Sequence, residues 1–394
     1  MKKAQADRRK FIKDSVIAAA SLVAVPALPE GNPGAPDHWS GGSVADNRGR
    51  NAGAPAPPRI RFSVIGLNHG HIYSQVEVVL KGGGQLVAFH AKEADLAAAF
   101  AKRYPSARPA SSEKEVLEDN SIQLVVSAAI PDARAPLGIE VMRHGKDFMV
   151  DKPGITTLEQ LAEVRRVQRE TRRIYSIMYS ERFENSATVK AGELVKAGAI
   201  GKVLQTIGLG PHRMNPTSRP EWFFDRRRYG GILCDIGSHQ FDQFLFFTGS
   251  TNAEVVASQV GNVHHSQYPG FEDFGDVMLR GNGGTGYVRV DWFTPDGLNT
   301  WGDGRLTILG TEGYIEVRKN VDIAGREGGS HLFLVDQKET RYLDCRQEPL
   351  PYGERPDDDI VHRTETAMSQ AHCFLATELA LKAQQQAQKI NPGK

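Results

Sequence analysis

Between Arg59 and Met178 the chain repeats one unit, a short apolar run, a turn and an amphipathic stretch, and this repeat leaves few architectures open. "RFSVIGL" reads as a strand and residues 72–80 as a helix. "QLVAFHA" is a second strand, followed by a helix over residues 94–103 that ends before Pro105. "IQLVVSAAI" is a strand stopped by Pro131, residues 135–144 form a helix closed by Gly145, and "DFMVDKP" is the next strand. Strands joined through single helices must run parallel, and runs apolar on both sides need cover on both faces. A doubly wound parallel sheet is therefore expected over residues 59–178. After Glu181 the texture changes to longer alternating strands such as "GYVRVDWF" and "RLTILGTEGYIEVRK", which predict a mostly antiparallel sheet with one covered face, within a second domain spanning residues 179–394. A last helix over residues 364–388 carries Ala371, Phe374, Leu375 and Leu379 at helical spacing and should pack back on the body.

Charge excludes some partners. The 48 Lys plus Arg balance 47 Asp plus Glu, leaving +1, so no field is present to draw nucleic acid or an anionic membrane. Cys234, Cys345 and Cys373 cannot all pair within one chain and show no metal spacing. The N-terminus reads as an export signal over residues 1–29: Arg8 and Arg9, followed by Phe11 and Lys13, match the twin-arginine pattern. The apolar run over residues 16–25 behind them is too short to span a bilayer, so no membrane anchor is expected after cleavage. Residues 30–58, dense in Pro, Gly, Ala, Ser and Asn, predict a disordered tether. The mature protein is thus expected to be periplasmic or secreted.

A parallel sheet binds ligands beyond the carboxyl ends of its strands, and the turn "GLNHGH" sits at the first of these. Gly66 suits a turn that presents backbone N–H groups to a pyrophosphate. The usual G-x-G-x-x-G is altered: Asn68 holds the second glycine position and His71 the third, with Gly70 one place early. His69 and His71 could add charge-assisted bonds to the pyrophosphate. No acidic residue ends the second strand, where His90 or Ala91 stands with Glu93 slightly beyond. Lys92 could face a 2′-phosphate instead, leaving the choice between NAD and NADP open. The competing reading is a metal-dependent hydrolase on a barrel, with His69-x-His71, Lys152, Asp235 and His239 around the ion. A barrel would continue its strand-helix repeat beyond residue 178, so that reading is set aside and no metal is expected.

"VDKPGITTLEQL", "KAGAIGKVLQTI" and "YGGILCDIGSHQFDQFLFFTG", in this order behind a glycine turn, resemble the Gfo/Idh/MocA family of nicotinamide-dependent sugar and polyol oxidoreductases, over nearly all of residues 60–384. The family's E-K-P stands here as Asp151-Lys152-Pro153, and its D-x-x-x-H as Asp235 and His239. The resemblance implies an α/β chain: an N-terminal Rossmann domain, then an α/β domain whose large open sheet often forms an interface in a homodimer or tetramer. It implies NAD or NADP as cofactor, held by Gly66, Asn68, His69, Gly70, His71, Pro131, Asp151 and Lys152. Its catalytic set falls on Lys152, Asp235 and His239.

These residue types suit the chemistry. Oxidising a secondary alcohol requires a group to take the hydroxyl proton, which a histidine near neutral pKa can do. Asp235, four residues before His239, could favour its protonated form or bind substrate, and Lys152 would stabilise developing alkoxide. Asp242 is a further candidate substrate contact. The long loop "GPHRMNPTSRPEWFFDRRRYGG" places His212, Arg213, Trp222 and three consecutive arginines before this helix, as a cover for a carbohydrate or for a carboxylate such as a uronic acid. Three classes remain: a sugar oxidoreductase, a glycoside-cleaving enzyme that recycles its nicotinamide, and a sugar-binding protein with a relic site. Intact Lys152, Asp235 and His239 disfavour the last.

Overall fold

The computed structural model describes residues 57–390. The expected export signal and nearly all of the tether lie outside the described residues.

The first layer is built from β1 (Arg61–Ile65), α1 (Ile72–Lys81), β2 (Gln85–His90), α2 (Ala94–Arg103), β3 (Arg108–Pro109), α3 (Glu113–Glu118), β4 (Leu124–Ser127), α4 (Pro131–Arg143), β5 (Asp147–Asp151), α5 (Leu158–Thr171) and β6 (Tyr175–Met178). All neighbouring strands pair parallel, in the order β3-β2-β1-β4-β5-β6. This is the doubly wound order, with its switch point between β1 and β4, so the turns after those strands open onto the ligand crevice. The apolar runs form strands because both faces are covered: Phe62, Val64, Val125, Val126, Phe148 and Val150 are fully buried. α4 starts four residues before the expected position because Pro131, whose missing N–H costs nothing at a helix start, occupies its first turn.

The second layer follows through α6 (Ser180–Phe183), α7 (Ser186–Lys196), β7 (Val203–Pro211), α8 (Arg226–Tyr229), α9 (Ile232–Asp235), α10 (Gly237–Thr248), β8 (Ala253–Gly261), β9 (Phe274–Gly281), β10 (Thr285–Asp291), β11 (Arg305–Gly310), β12 (Gly313–Arg318), β13 (His331–Asp336) and β14 (Thr340–Asp344). α11 (Glu354–His362), α12 (Gln370–Gln386) and β15 (Gln388–Lys389) close the chain. The nine strands run in the order β14-β13-β12-β11-β7-β10-β9-β8-β15, antiparallel except at β7/β10 and β8/β15. The protein is thus α/β, a Rossmann-type parallel sheet followed by a mixed, mostly antiparallel one.

The last helix begins at Gln370 rather than at residue 364. The Asp359 carboxylate accepts bonds from the backbone N–H groups of Thr366 and Ala367 and from the hydroxyls of Thr364 and Thr366, which fixes this segment as a loop. Ser369 then caps α12 by accepting from the His372 N–H. Among the described residues no helix is long and apolar enough to cross a membrane.

Candidate functional site

Gly66 ends β1 at φ 84°, and a Cβ there would stand 2.6 Å from the Ala129 Cβ, so only glycine lets the first turn pass this close to the turn after β4. His69 N–H is spent on the Ala128 carbonyl at 3.0 Å. Among the described residues the N–H groups of Asn68, Gly70 and His71 have no intramolecular acceptor, and they stand at the N-terminus of α1. These residues fit a dinucleotide: three free donors and a helix end form a cradle for a pyrophosphate. Asn68 turns its amide to Glu93 at 2.7 Å, and Glu93 is the half-buried residue just before α2. Lys92, held in view as a partner for a 2′-phosphate, is exposed and paired with Glu113 at 3.3 Å. Pro131 is buried at the start of α4, on the wall formed by β4.

His69 and His71 converge on one carboxylate, and His69 corrects one expectation. Both turn Nδ1 toward Asp151, at 3.0 Å and 2.9 Å, and their rings meet edge to face with centroids 4.2 Å apart. Burial, reinforced by His71 and Lys152 and opposed by Asp151, pushes His69 down to about 4, so it carries no charge at neutral pH and offers no charge-assisted bond to a phosphate. Burial opposes ionisation of Asp151, but His71, Arg134 and His69 hold its carboxyl well below the usual range.

Arg134 was not legible as functional. Its side chain is 1% exposed and donates to the carbonyls of Ala129 (2.6 Å), Asp151 (3.1 Å), Lys152 (2.6 Å) and Pro153 (3.1 Å) and to the Asp151 carboxylate (3.0 Å). It clamps the Asp151-Lys152-Pro153 corner, whose Lys152–Pro153 peptide is cis. A charge three residues into a helix reads from sequence as solvated, and only its burial reveals the role.

Next to that corner the second layer delivers its polar groups. Gly230 and Gly231, at φ 90° and 98°, reverse the chain into α9, and Ile236 joins it to α10. Asp235 accepts from the Lys152 ammonium at 2.7 Å, with both groups almost fully buried. Desolvation works against its charge, yet Lys152, with His69 and His212 beyond, keeps the carboxyl below its ordinary value. The expected action of Asp235 on His239 is therefore replaced by a bond to Lys152. Burial pushes His239 down to about 4, against the attraction of Glu181 and with help from Lys152, and its Nδ1 is buried without a hydrogen-bond partner. A neutral imidazole with a free nitrogen can accept a proton.

Beneath His239 lies a network the sequence did not announce. The Glu181 carboxylate accepts from Lys319 and from the side-chain amides of Gln240 (2.8 Å) and Gln243 (3.3 Å), and Gln243 also donates to the His239 carbonyl at 2.9 Å. It fixes the first turns of α10 against α6.

The loop residues divide. His212 reaches the site: burial and nearby Lys152 lower it to about 3, its Nδ1 lies 3.2 Å from the Gly210 carbonyl, and its ring packs 4.5 Å from that of Trp301. Arg213 instead ties down a neighbouring loop through the carbonyls of Pro295 and Leu298. Trp222 is buried against Phe223, in an aromatic cluster with Tyr229, Phe271 and Trp292. Asp242 is corrected from substrate contact to structural anchor: it has no exposed surface, and its oxygens are taken by Arg182 (2.6 and 2.8 Å) and His372 (2.8 Å). Arg226, Arg227 and Arg228 each face a carboxylate, of Glu272, Asp225 and Asp132, which weakens the case for a carboxylate-bearing substrate.

Comparison with known proteins matches residues 60–179 to the oxidoreductase family with an NAD-binding Rossmann fold, and residues 188–316 to the GFO/IDH/MocA C-terminal domain. The crystal structure of an oxidoreductase from Erwinia carotovora atroseptica SCRI1043 is 49% identical, with a TM-score of 0.82, covering 84% of this chain and 100% of that one. The scyllo-inositol 2-dehydrogenase (NAD(+)) of Bacillus subtilis (strain 168) is 25% identical over 289 residues, 71% of this chain and 80% of that protein. The myo-inositol 2-dehydrogenase of Thermotoga maritima is 27% identical over 253 residues, 60% and 70% of the two chains.

Proposed function

The chain belongs to the Gfo/Idh/MocA family of NAD-binding oxidoreductases, and from that premise we propose that it oxidises a secondary hydroxyl of a sugar, polyol or sugar derivative. The observation that carries the reading is the buried Lys152–Asp235 pair at 2.7 Å, with neutral His239 one helical turn beyond it and the phosphate cradle beside it. When bound, the nicotinamide supplies the acceptor for the hydride leaving the alcohol carbon. His239 takes the hydroxyl proton. The Lys152 ammonium, fixed by Asp235 and by the Arg134 clamp, stabilises the negative charge growing on that oxygen. His212, beside Trp301, lines the approach. The names of two relatives point to cyclic polyols, and incubation of the pure protein with inositols and aldoses in the presence of NAD or NADP tests the reading. Reduction of nicotinamide, whether bound or added, supports it; free aglycone from glycosides without added cofactor would assign redox-recycled cleavage instead.

The protein is further proposed to leave the cytoplasm by twin-arginine export, folded, and to keep its dinucleotide permanently, since no obvious pool of free NAD or NADP exists beyond the inner membrane. Mass spectrometry of denatured, extensively dialysed protein tests this. Absence of dinucleotide from folded protein that works readily on added NAD would return it to the exchangeable class. Assembly as a dimer or tetramer through the open sheet is the third part of the reading. Leu204, Met278, Leu309 and Tyr314 lie on that sheet and are 41 to 55% exposed, a large apolar display for a monomer.

A further inference from the structure

The carboxyl ends of β1 and β5 press two imidazoles onto one carboxylate, an arrangement that the proposed oxidation does not use. One ligating atom from each of His69, His71 and Asp151 lies within 4.8 Å of the others. The Nδ1 atoms of His71 and His69 stand 2.9 and 3.0 Å from separate oxygens of Asp151. A metal with bonds of roughly 2.0–2.1 Å holds tetrahedral ligand atoms about 3.3 Å apart, and a trio already within 4.8 Å reaches that spacing through side-chain rotation.

Two observations separate this cluster from an ordinary His–Asp contact. The His69 Nδ1 atom is buried and makes no hydrogen bond: an Asp151 oxygen is near, but the ring N–H direction misses it. A buried nitrogen left this way is costly, and a Lewis acid would use it. The carboxylate is also rigid, because Arg134 bonds to one of its oxygens and to the backbone carbonyls of residues 151, 152 and 153. Outer partners of this kind orient metal ligands.

We propose that His69, His71 and Asp151 form a mononuclear site for a divalent transition-metal cation at the mouth of the cofactor crevice. Two imidazoles and one carboxylate select borderline ions such as Zn²⁺, Co²⁺ or Fe²⁺ over Mg²⁺ and Ca²⁺, which take oxygen ligands. Exposure rises from Asp151 (2%) through the side chains of His69 (23%) and His71 (43%), so the remaining coordination positions face solvent and the site is open rather than sealed. Arg134 neutralises part of the Asp151 charge, which moderates affinity and marks the other oxygen as the ligand.

The test is a titration of untagged, chelator-stripped full chain with Co²⁺, read by visible absorption, and with Zn²⁺, read by elemental analysis after gel filtration. One equivalent of each ion is expected, undisturbed by excess Mg²⁺. His69→Gln and His71→Asn, each checked for native circular dichroism, should weaken binding by roughly 100-fold or more. Folded wild-type protein that holds well under one equivalent overturns the proposal, as does a doubly substituted chain that still binds a full equivalent.

Discussion

Asp151 and Lys152 are neighbours at the end of β5, and they serve different halves of the molecule. Asp151 faces the first layer, where His69, His71 and Arg134 surround it. Lys152 faces the second layer and pairs with Asp235, from a helix 83 residues further along. The cradle side is local to the Rossmann sheet, and there the sequence departs from the usual glycine pattern. The side proposed for catalysis exists only once the two layers meet, and it carries Lys152, Asp235 and His239. One clamp, Arg134, holds both.

The sharpest way to break this comparison is on the catalytic side. His239→Ala should lower turnover by roughly 10² to 10⁴ while leaving dinucleotide affinity nearly unchanged, because a proton acceptor acts mainly in the transition state. Stopped-flow rates beside a binding titration would check it, and near-normal turnover would remove His239 from its role. Arg134→Met should damage both sides together. It leaves Asp151 buried without its guanidinium, and breaking a buried pair in this way costs about 3–5 kcal/mol. Denaturant unfolding should report that loss, together with weaker cofactor binding and slower turnover. A variant harmed on one side only would show that the corner is not a single unit.

The two sides were also unequally legible. The parallel sheet follows from apolar runs and short crossovers, and the family resemblance names Lys152, Asp235 and His239, of which the fold brings Lys152 and Asp235 into contact. The pairing of Asp235 was not legible: spacing along a helix pointed to His239, whereas a buried ammonium from another layer offered more electrostatic stabilisation. Asp242 illustrates the same blindness. A carboxylate on the catalytic helix reads as a substrate contact until Arg182 and His372 take both its oxygens. Arg134, Glu181 and Lys319 escaped notice because a charged residue in a helix or after a strand is normally solvated, and nothing in one sequence marks the exceptions.

pH acts on both sides by a smaller effect, since His69 on the cradle side is also lowered to about 4. His239 and His212, at about 4 and about 3, are neutral in the folded chain where an unfolded histidine begins to charge near 6.5. The unfolded state therefore binds more protons between those limits. Stability contributed by these groups is complete above about pH 6.5 and falls as pH drops, by up to roughly 1.4 kcal/mol per pH unit for each. Melting temperatures measured from pH 7 to pH 4.5 should decline accordingly, and His212→Asn should flatten the decline. Catalysis should hold its rate further into acid than an ordinary histidine would allow, with the acid limb of kcat/KM set by His239.

The smallest expected effect lies on the cradle side, at the Asn68–Glu93 contact of 2.7 Å. Glu93 stands just past β2, where dinucleotide folds place the group that reads the adenosine ribose. Asn68 occupies the altered second glycine position and holds that carboxylate toward the turn, while the one basic alternative, Lys92, is drawn off to Glu113. A half-buried negative charge in this position favours two ribose hydroxyls and repels a 2′-phosphate, so NAD should bind more tightly than NADP. Near a protein surface such a charge is worth on the order of 1 kcal/mol. Glu93→Gln should therefore narrow the preference by about fivefold, most of it through tighter NADP. Fluorescence titration of protein refolded free of nucleotide, with both reduced cofactors, measures the ratio, and Asn68→Ala, which frees the carboxylate without removing it, should give an intermediate value. A ratio unmoved by either substitution would mean that Glu93 only fastens the turn, and that cofactor choice is made elsewhere in the crevice.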